Sequence, residues 1–268
     1  YQPPVVTGKV TRGPLEYAAV WKIAQRFTDK PVKFGTISGP LLTRMMWDEF
    51  YKDPSALAED LAGIINAELR ELAAAGCPVI QLEEPPHHFA SLNPKVTDKD
   101  LEEMTRVFNE QVVGVDAEIW VHTCWGNPNQ QRCFWETPSY ERALPHMLEF
   151  DADVITLECA STGGKDLPLF AKLKTDKKIA IGVVNHTQTT VEPPEVVANL
   201  IRRALEYIPV ERLIITTDCG FGREGLSRRI AYYKLVSLVQ GTNIVRRELG
   251  LPEARVRATD PKLWFVEL

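Results

Sequence analysis

The sequence has no apolar run long enough to cross a bilayer. It also has no excess of basic residues, because 31 Lys and Arg stand against 36 Asp and Glu and the formal net charge is −5 at pH 7. Non-specific nucleic-acid binding usually requires a basic face. We therefore expect neither a nucleic acid nor a membrane as a partner, and the sequence leaves open whether the chain forms a homo-oligomer.

Cysteine is scarce, with five residues among 268. An odd number in a chain of this length argues against a disulfide scaffold and for a reducing, cytoplasmic location. Cysteines in that setting are usually buried apolar residues, metal ligands or reactive thiols. No repeat, low-complexity tract or linker divides the chain, so residues 1–268 are taken as a single domain with a sizeable core.

Short apolar segments alternate with amphipathic ones. Six segments rich in Val and Ile are predicted as strands: residues 32–38, 78–83, 118–123, 153–158, 178–184 and 212–217. Most of them show no clean polar alternation, which is typical of strands that are buried on both faces. Helical periodicity and capping signals predict helices at residues 55–75, from Thr97 onward, at 194–208 and at about 225–249.

This alternation predicts an α/β fold with a parallel sheet, either open or closed into a barrel. Polar residues follow the strands at their carboxyl ends, which form the catalytic face of a TIM barrel. Six strands are two short of the eight in such a barrel. The two other strands either lack a recognisable apolar pattern in this sequence or precede residue 1.

Metal-binding residue types occur at three of these strand ends. His122 and Cys124 are two residues apart and therefore point to the same face of a strand, while Glu158 and Cys219 follow two later strands. Imidazole, thiolate and carboxylate are the usual ligands of tetrahedral zinc, and thiolates favour zinc over magnesium or calcium. The alternative is a core histidine beside a buried cysteine. Cys77, Cys133 and Cys159 are interpreted as non-ligands.

Several segments resemble the catalytic domain of cobalamin-independent methionine synthase. The resemblance covers essentially the whole chain and is carried by residues 121–124, 151–158 and 217–220, together with residues 3–6, 28–33, 38–40 and 80–85 in the same order. It implies a TIM (β/α)8 barrel of the methionine-synthase and uroporphyrinogen-decarboxylase type. The family's first two strands precede the region that resembles residue 3, so we expect two further strands before Tyr1.

The resemblance also implies site residues. The family's zinc ligands would fall on His122, Cys124, Glu158 and Cys219. Glu83 takes the place of an aspartate that binds the amino group of homocysteine, and Ser38 and Trp47 fall near substrate-binding positions. The family's proton-shuttling histidine aligns with Thr187, so His186, one residue earlier, is the candidate for that role.

The implied activity is thiol alkylation, in which a zinc-bound thiolate attacks an electrophilic carbon. Methyl transfer to homocysteine from a methyl-folate or methyl-corrinoid is expected first. A related branch, epoxyalkane:coenzyme M transferase, opens an epoxide with coenzyme M, and Arg44 or Arg132 would then be candidate sulfonate contacts. A barrel that holds zinc or a thiol without turnover, or a structural zinc site, is the alternative from another class.

Other polar residues receive simpler interpretations. Glu83 and Glu84 are adjacent on a strand and should point to opposite faces, which argues against a glycosidase pair. His87 and His88 are interpreted as solvated loop residues. The glycines at 220 and 222 lack a phosphate-loop lysine pattern, so a nucleotide is not expected. The long segment between Cys124 and Glu158, including residues 126–131 and 133–135, is a candidate lid.

Overall fold

A computed structural model describes residues 2–126, 138–222 and 226–256 of the chain. The chain divides into two compact units, which are described separately. The first comprises residues 1–123 and 140–155, and the second comprises residues 124–139 and 156–268. In the described part of the chain, no helix has the length and apolar character that crossing a membrane requires.

The first unit alternates strands and helices. Its elements in chain order are β1 (Val5–Val6), α1 (Tyr17–Gln25), β2 (Phe34–Ile37), α2 (Gly39–Arg44), β3 (Trp47–Asp48), α3 (Pro54–Ala74), β4 (Val79–Glu83), α4 (Pro85–Ser91), α5 (Asp98–Glu110), β5 (Glu118–His122), α6 (Leu144–Met147) and the first half of β6 (Val154–Leu157).

Strands β2, β4 and β5 of the first unit are neighbours in that order, and both pairs are parallel. The register places Glu83 of β4 opposite Ile37 of β2 and opposite His122 of β5. The carboxyl ends of the three strands are therefore level, which collects their last side chains at one edge. Asp153, just before β6, donates its N–H to the carbonyl of Ile119 at 2.8 Å.

Helix α3 packs against α1, α2 and α5, and its apolar residues recur at helical spacing. Asp53 caps its first turn, Pro54 occupies a position where no N–H is needed, and Gly76 at φ 101° allows the chain to leave it. Its buried face consists of Leu57, Leu61, Ile65, Leu69 and Leu72, all less than 9% exposed. Each such side chain stabilises the fold by about 1.5–3 kcal/mol.

The second unit contains the rest of β6, followed by β7 (Lys178–Gly182), α7 (Pro194–Leu205), β8 (Leu213–Thr216) and α8 (Arg228–Glu248), with 3₁₀ turns at Leu167–Ala171 and Val210–Arg212. Its strand order is β6-β7-β8, and β7 and β8 are parallel. Helices α7 and α8 approach closely at Gly241, where a Cβ atom would lie 2.5 Å from the Cβ of Val197.

All six predicted strands are present, as β2 and β4 to β8, and the predicted helices correspond to α3, α5, α7 and α8. Thr97 and Asp100 form the predicted capping box of α5. The start predicted for α8, near residue 225, lies outside the described residues. The prediction missed short elements such as β1, β3 and α1.

One structural prediction was wrong. His87 and His88 are not solvated loop residues, since both belong to α4 and are fully buried. Strand β4 and the first four residues of β5 alternate between half-buried and buried positions, and β5 ends on two buried residues, Val121 and His122. Their half-buried positions carry polar or amphipathic side chains such as Gln81 and Trp120, whereas β6 is buried throughout.

Candidate metal and catalytic centre

Cys124 and Cys219 lie together in the second unit, Cys124 two residues after β5 and Cys219 three residues after β8. Their sulfur atoms are 3.6 Å apart. This separation is far longer than a disulfide bond. Two thiolates that are each 2.3 Å from one tetrahedral zinc ion lie about 3.8 Å apart. The pair therefore has the spacing that a shared ion requires.

The electrostatics of the pair favour a cation as well. The hydrogen bond from Cys219 and then burial raise the pKa of Cys124 well above its usual range, and the nearby Glu158 carboxylate acts in the same direction. Two thiolates and a carboxylate at one place repel one another unless a positive charge is present. A divalent cation would remove this penalty and deprotonate the thiols.

Glu158 follows β6 and is 3% exposed. One carboxylate oxygen accepts the backbone N–H of Trp125 at 2.8 Å, and the other accepts the hydroxyl of Ser161 in a short hydrogen bond. Trp125 immediately follows Cys124, so the carboxylate is fixed to the same loop as that thiol. Carboxylate oxygens are among the usual ligands of zinc.

Asp218 is a site residue that sequence reasoning missed. Its carboxylate is buried and accepts three backbone N–H bonds from the turn after β6: one oxygen bonds Cys159 and Ala160 at 2.9 Å each, and the other bonds Ser161 at 2.7 Å. Burial and the charge of Glu158 raise the pKa of Asp218 to about 8. Asp218 immediately precedes Cys219 and thus links that cysteine to the turn that follows Glu158.

This connection requires a glycine in β7. A Cβ atom on Gly182 would lie 2.1 Å from a carboxylate oxygen of Asp218 and 2.5 Å from its Cα. No side chain can be accommodated at such distances without displacement of the backbone of Asp218. Gly182 is therefore required by close approach rather than by an unusual backbone angle.

His186 follows β7 and is 1% exposed. Its Nε2 lies 3.2 Å from the carbonyl oxygen of Gly126, which can only accept, so Nε2 carries a proton. Its Nδ1 is buried and has no hydrogen-bond partner among the described residues. Candidate ligand atoms of Glu158, His186 and Asp218 lie within 4.8 Å of one another. The imidazole is thus placed beside the carboxylates with one nitrogen available for proton exchange.

The remaining predicted site residues belong to the first unit. His122 ends β5, and its Nε2 is 3.6 Å from a carboxylate oxygen of Glu83. Glu83 also accepts a hydrogen bond from Gln81 at 2.9 Å, and its side chain is 31% exposed. Ser38 is buried, its N–H donates to the carbonyl of Glu83, and its hydroxyl caps α2. Trp47 lies in β3 and is 62% exposed.

Other cysteines and arginines discussed from the sequence are assigned no role in this centre. Cys77 and Cys159 are buried, and burial raises the pKa of both thiols. Arg44 is exposed at the end of α2. Arg132, Cys133 and most of the predicted lid lie outside the described residues.

Parallel strands of an α/β protein with thiol, imidazole and carboxylate groups at their carboxyl ends define a class of metal-site enzymes. The model of one family, the catalytic domain of cobalamin-independent synthase, matches residues 1–241. The chain belongs to this family. The resemblance stated from the sequence and the assignment to an enzyme family are both confirmed.

Individual proteins similar to this chain are named methionine synthases. A methionine synthase from Saccharolobus solfataricus is 37% identical over 80% of this chain, and one from Sulfurisphaera tokodaii is 30% identical over 93%. The chain spans 58% and 67% of those two proteins.

A B12-independent methionine synthase from Shewanella sp. W3-18-1, solved in complex with selenomethionine, is 27% identical. The match covers 91% of this chain and 71% of that one, with a TM-score of 0.82. The predicted fold class, the TIM-barrel type of this family, is confirmed.

Proposed function

We propose that the chain takes part in zinc-dependent methyl transfer to the thiol of homocysteine, which yields methionine. The observation that carries the proposal is the pair of sulfur atoms of Cys124 and Cys219, 3.6 Å apart, with the buried groups of Glu158 and His186 in the same unit. Membership of the synthase family and relatives that are named methionine synthases support it. A reducing, cytoplasmic environment would keep both thiols available.

Zinc would be held by Cys124, Cys219, Glu158 and His122. His122 is included because it is two residues before Cys124 in the chain and is buried at the end of β5. When bound, the ion would lower the pKa of a coordinated substrate thiol, so that the thiol is deprotonated near neutral pH. The fourth ligand, Glu158, is an oxygen donor among softer ligands and is the one we expect a substrate thiol to displace.

His186 would move the proton of the reaction. Methylation joins the thiol sulfur to the methyl carbon, breaks the bond between that carbon and the donor, and transfers the thiol proton to the donor's leaving atom. An imidazole with a buried Nδ1 that has no partner among the described residues can accept and return this proton. Its fixed Nε2–H bond to Gly126 orients the ring.

Glu83 would select the thiol. A half-buried carboxylate attracts the ammonium group of homocysteine and repels the sulfonate of coenzyme M. The charge of Glu83 therefore favours an amino-acid thiol over the epoxide-opening alternative. The selenomethionine in the Shewanella relative is itself a methylated amino acid of this kind, which supports the same choice.

The test is consumption of thiol by the zinc-loaded protein. Homocysteine and coenzyme M are each supplied with methyl-folate, methyl-corrinoid or epoxypropane, and thiol loss and product mass are measured. We expect methionine from homocysteine and methyl-folate, and no product from the Cys219→Ser variant. Consumption of coenzyme M with epoxypropane would establish the epoxide branch instead. Thiol binding without any product would establish a binding protein.

A further inference from the structure

Lys234 is a fully buried lysine in α8 that makes no contact with solvent. Its ammonium group donates to the carbonyl of Thr190 at 2.6 Å and to the two carboxylate oxygens of Glu192 at 3.0 and 2.9 Å. All three of its donors are thus used. Burying both charges is expensive, and an apolar pair of the same volume is often as stable, so the ion pair calls for an explanation other than stability.

The carboxylate of Glu192 continues the network into the loop after β7. The oxygen that receives Lys234 at 3.0 Å also accepts the backbone N–H of Asn185 at 2.8 Å. The side-chain oxygen of Asn185 in turn accepts the N–H and the hydroxyl of Thr187 at 2.7 and 2.8 Å. The two residues that flank His186 are therefore held by one network.

The same loop is fixed at its far end. The hydroxyl of Ser237, one helical turn after Lys234, donates a short hydrogen bond to the carbonyl of Glu192. Helix α8 therefore bonds three groups of the loop, and the Glu192 carboxylate closes it by reaching back seven residues to Asn185. The imidazole of His186 makes its own bond to Gly126, which lies on a different segment. The loop must be correctly placed for that bond to form.

We propose that Lys234 and Glu192 are positioning residues, which hold the Asn185–Thr187 segment so that the imidazole of His186 keeps its orientation. The proton-transfer role of His186 rests on the proposed function, whereas the positioning itself does not. The pair acts through the backbone of Asn185 and touches no substrate. It is built into α8, whose amphipathic pattern gives no indication of such a task.

The experiment separates positioning from stability. The double variant Lys234→Met/Glu192→Met removes both charges and fills the space, so folding should be retained, but the acceptor of the Asn185 N–H is lost. The control is Arg202→Met/Glu248→Met, which removes a two-bond ion pair between α7 and the same helix α8. Glu192→Asp is the second variant, since it keeps the charge pair and withdraws the carboxylate from Asn185.

Readouts are thermal unfolding, zinc affinity by chelator competition, and the side-chain nitrogen signals of ¹⁵N-histidine in the zinc-loaded protein. The His186 signal is identified by its loss in His186→Gln. We expect near-control stability and zinc affinity, but a shifted or broadened His186 signal in both Glu192 variants. In methyl transfer, kcat should fall about 100-fold with little change in KM.

An unchanged His186 signal in either folded variant would overturn the proposal. So would a double variant that keeps both the stability and the kcat of the wild-type protein, because that is the result of a purely structural pair. If the wild-type protein methylates no thiol, the proposed function fails, while the histidine signals still test the positioning.

Discussion

The sulfur atoms of Cys124 and Cys219 lie 3.6 Å apart although 95 residues separate them in the chain. Cysteines that approach this closely generally share a metal ion or form a disulfide. The separation matches a shared tetrahedral ion, and it is set by two loops of one unit. Variants that change a single sulfur or its support can therefore test the metal centre.

Replacement of one thiol should abolish tight zinc binding. We expect Cys219→Ser to reduce zinc affinity by more than the roughly 10–100-fold that loss of an outer-shell partner costs, because a hydroxyl is a poor zinc ligand. Cys159→Ser is the matched control, since Cys159 is buried and assigned no metal role. Chelator competition measures both affinities. Equal losses in the two variants would contradict the assignment.

Zinc affinity should also depend on Asp218, which holds the turn after Glu158. Asp218→Asn keeps the shape of the side chain but turns an amide NH₂ toward backbone N–H groups that need an acceptor. The turn that carries Ser161 should shift, and zinc affinity should fall about 10–100-fold. Asp166→Asn is the control, because Asp166 is also buried and bonds Ser139 instead. An Asp218→Asn protein with wild-type affinity would show that Asp218 serves only the fold.

Part of this centre followed from the sequence alone. The spacing of His122 and Cys124, and the position of Cys219 just after a Val- and Ile-rich strand, were sufficient to name metal-ligating residue types. The six strands were predictable because apolar runs of that length, separated by amphipathic helices, have few other folds.

Other features could not be predicted, for physical reasons. In the sequence, Asp218 is an ordinary polar residue after a strand. Its role depends on three N–H groups of residues 159–161, which only the folded chain brings to it. His87 and His88 lie in a helix of seven residues that begins with two prolines, too short to show periodicity. Lys234 looks like a surface lysine because its partners are more than 40 residues away in sequence.

The close approach of Gly182 to Asp218 can be tested by adding a methyl group at residue 182. Gly182→Ala places a methyl group 2.1 Å from Asp218, so we expect destabilisation of about 1–3 kcal/mol or more and a loss of zinc affinity. Gly63→Ala in α3 is the control, since its Cβ would meet nothing within 4 Å and alanine should stabilise that helix by about 0.5–1 kcal/mol. Urea unfolding measures both. A neutral Gly182→Ala would contradict the close approach.

Glu84 should make stability depend on pH. It is fully buried, and burial raises its pKa from 4.5 to about 7. Between these values the unfolded chain has lost the proton while the folded chain keeps it, so this contribution to stability is present at low pH and falls as pH rises through the window. The loss amounts to about 3 kcal/mol. Glu84→Gln should therefore flatten the decline in unfolding free energy between pH 5 and pH 8. Identical pH profiles for the two proteins would show that Glu84 titrates normally.

The length of Glu83 should determine which thiol is accepted. Its carboxylate is one methylene longer than the aspartate expected from the family resemblance, and it lies 3.6 Å from Nε2 of His122. Glu83→Asp should raise kcat/KM for homocysteine relative to a thiol without an ammonium group, whereas Glu83→Gln should lower it because the ammonium loses its counter-charge. Competition between homocysteine and 2-mercaptoethanol measures the ratio directly. An unchanged ratio in Glu83→Asp would show that other residues select the thiol.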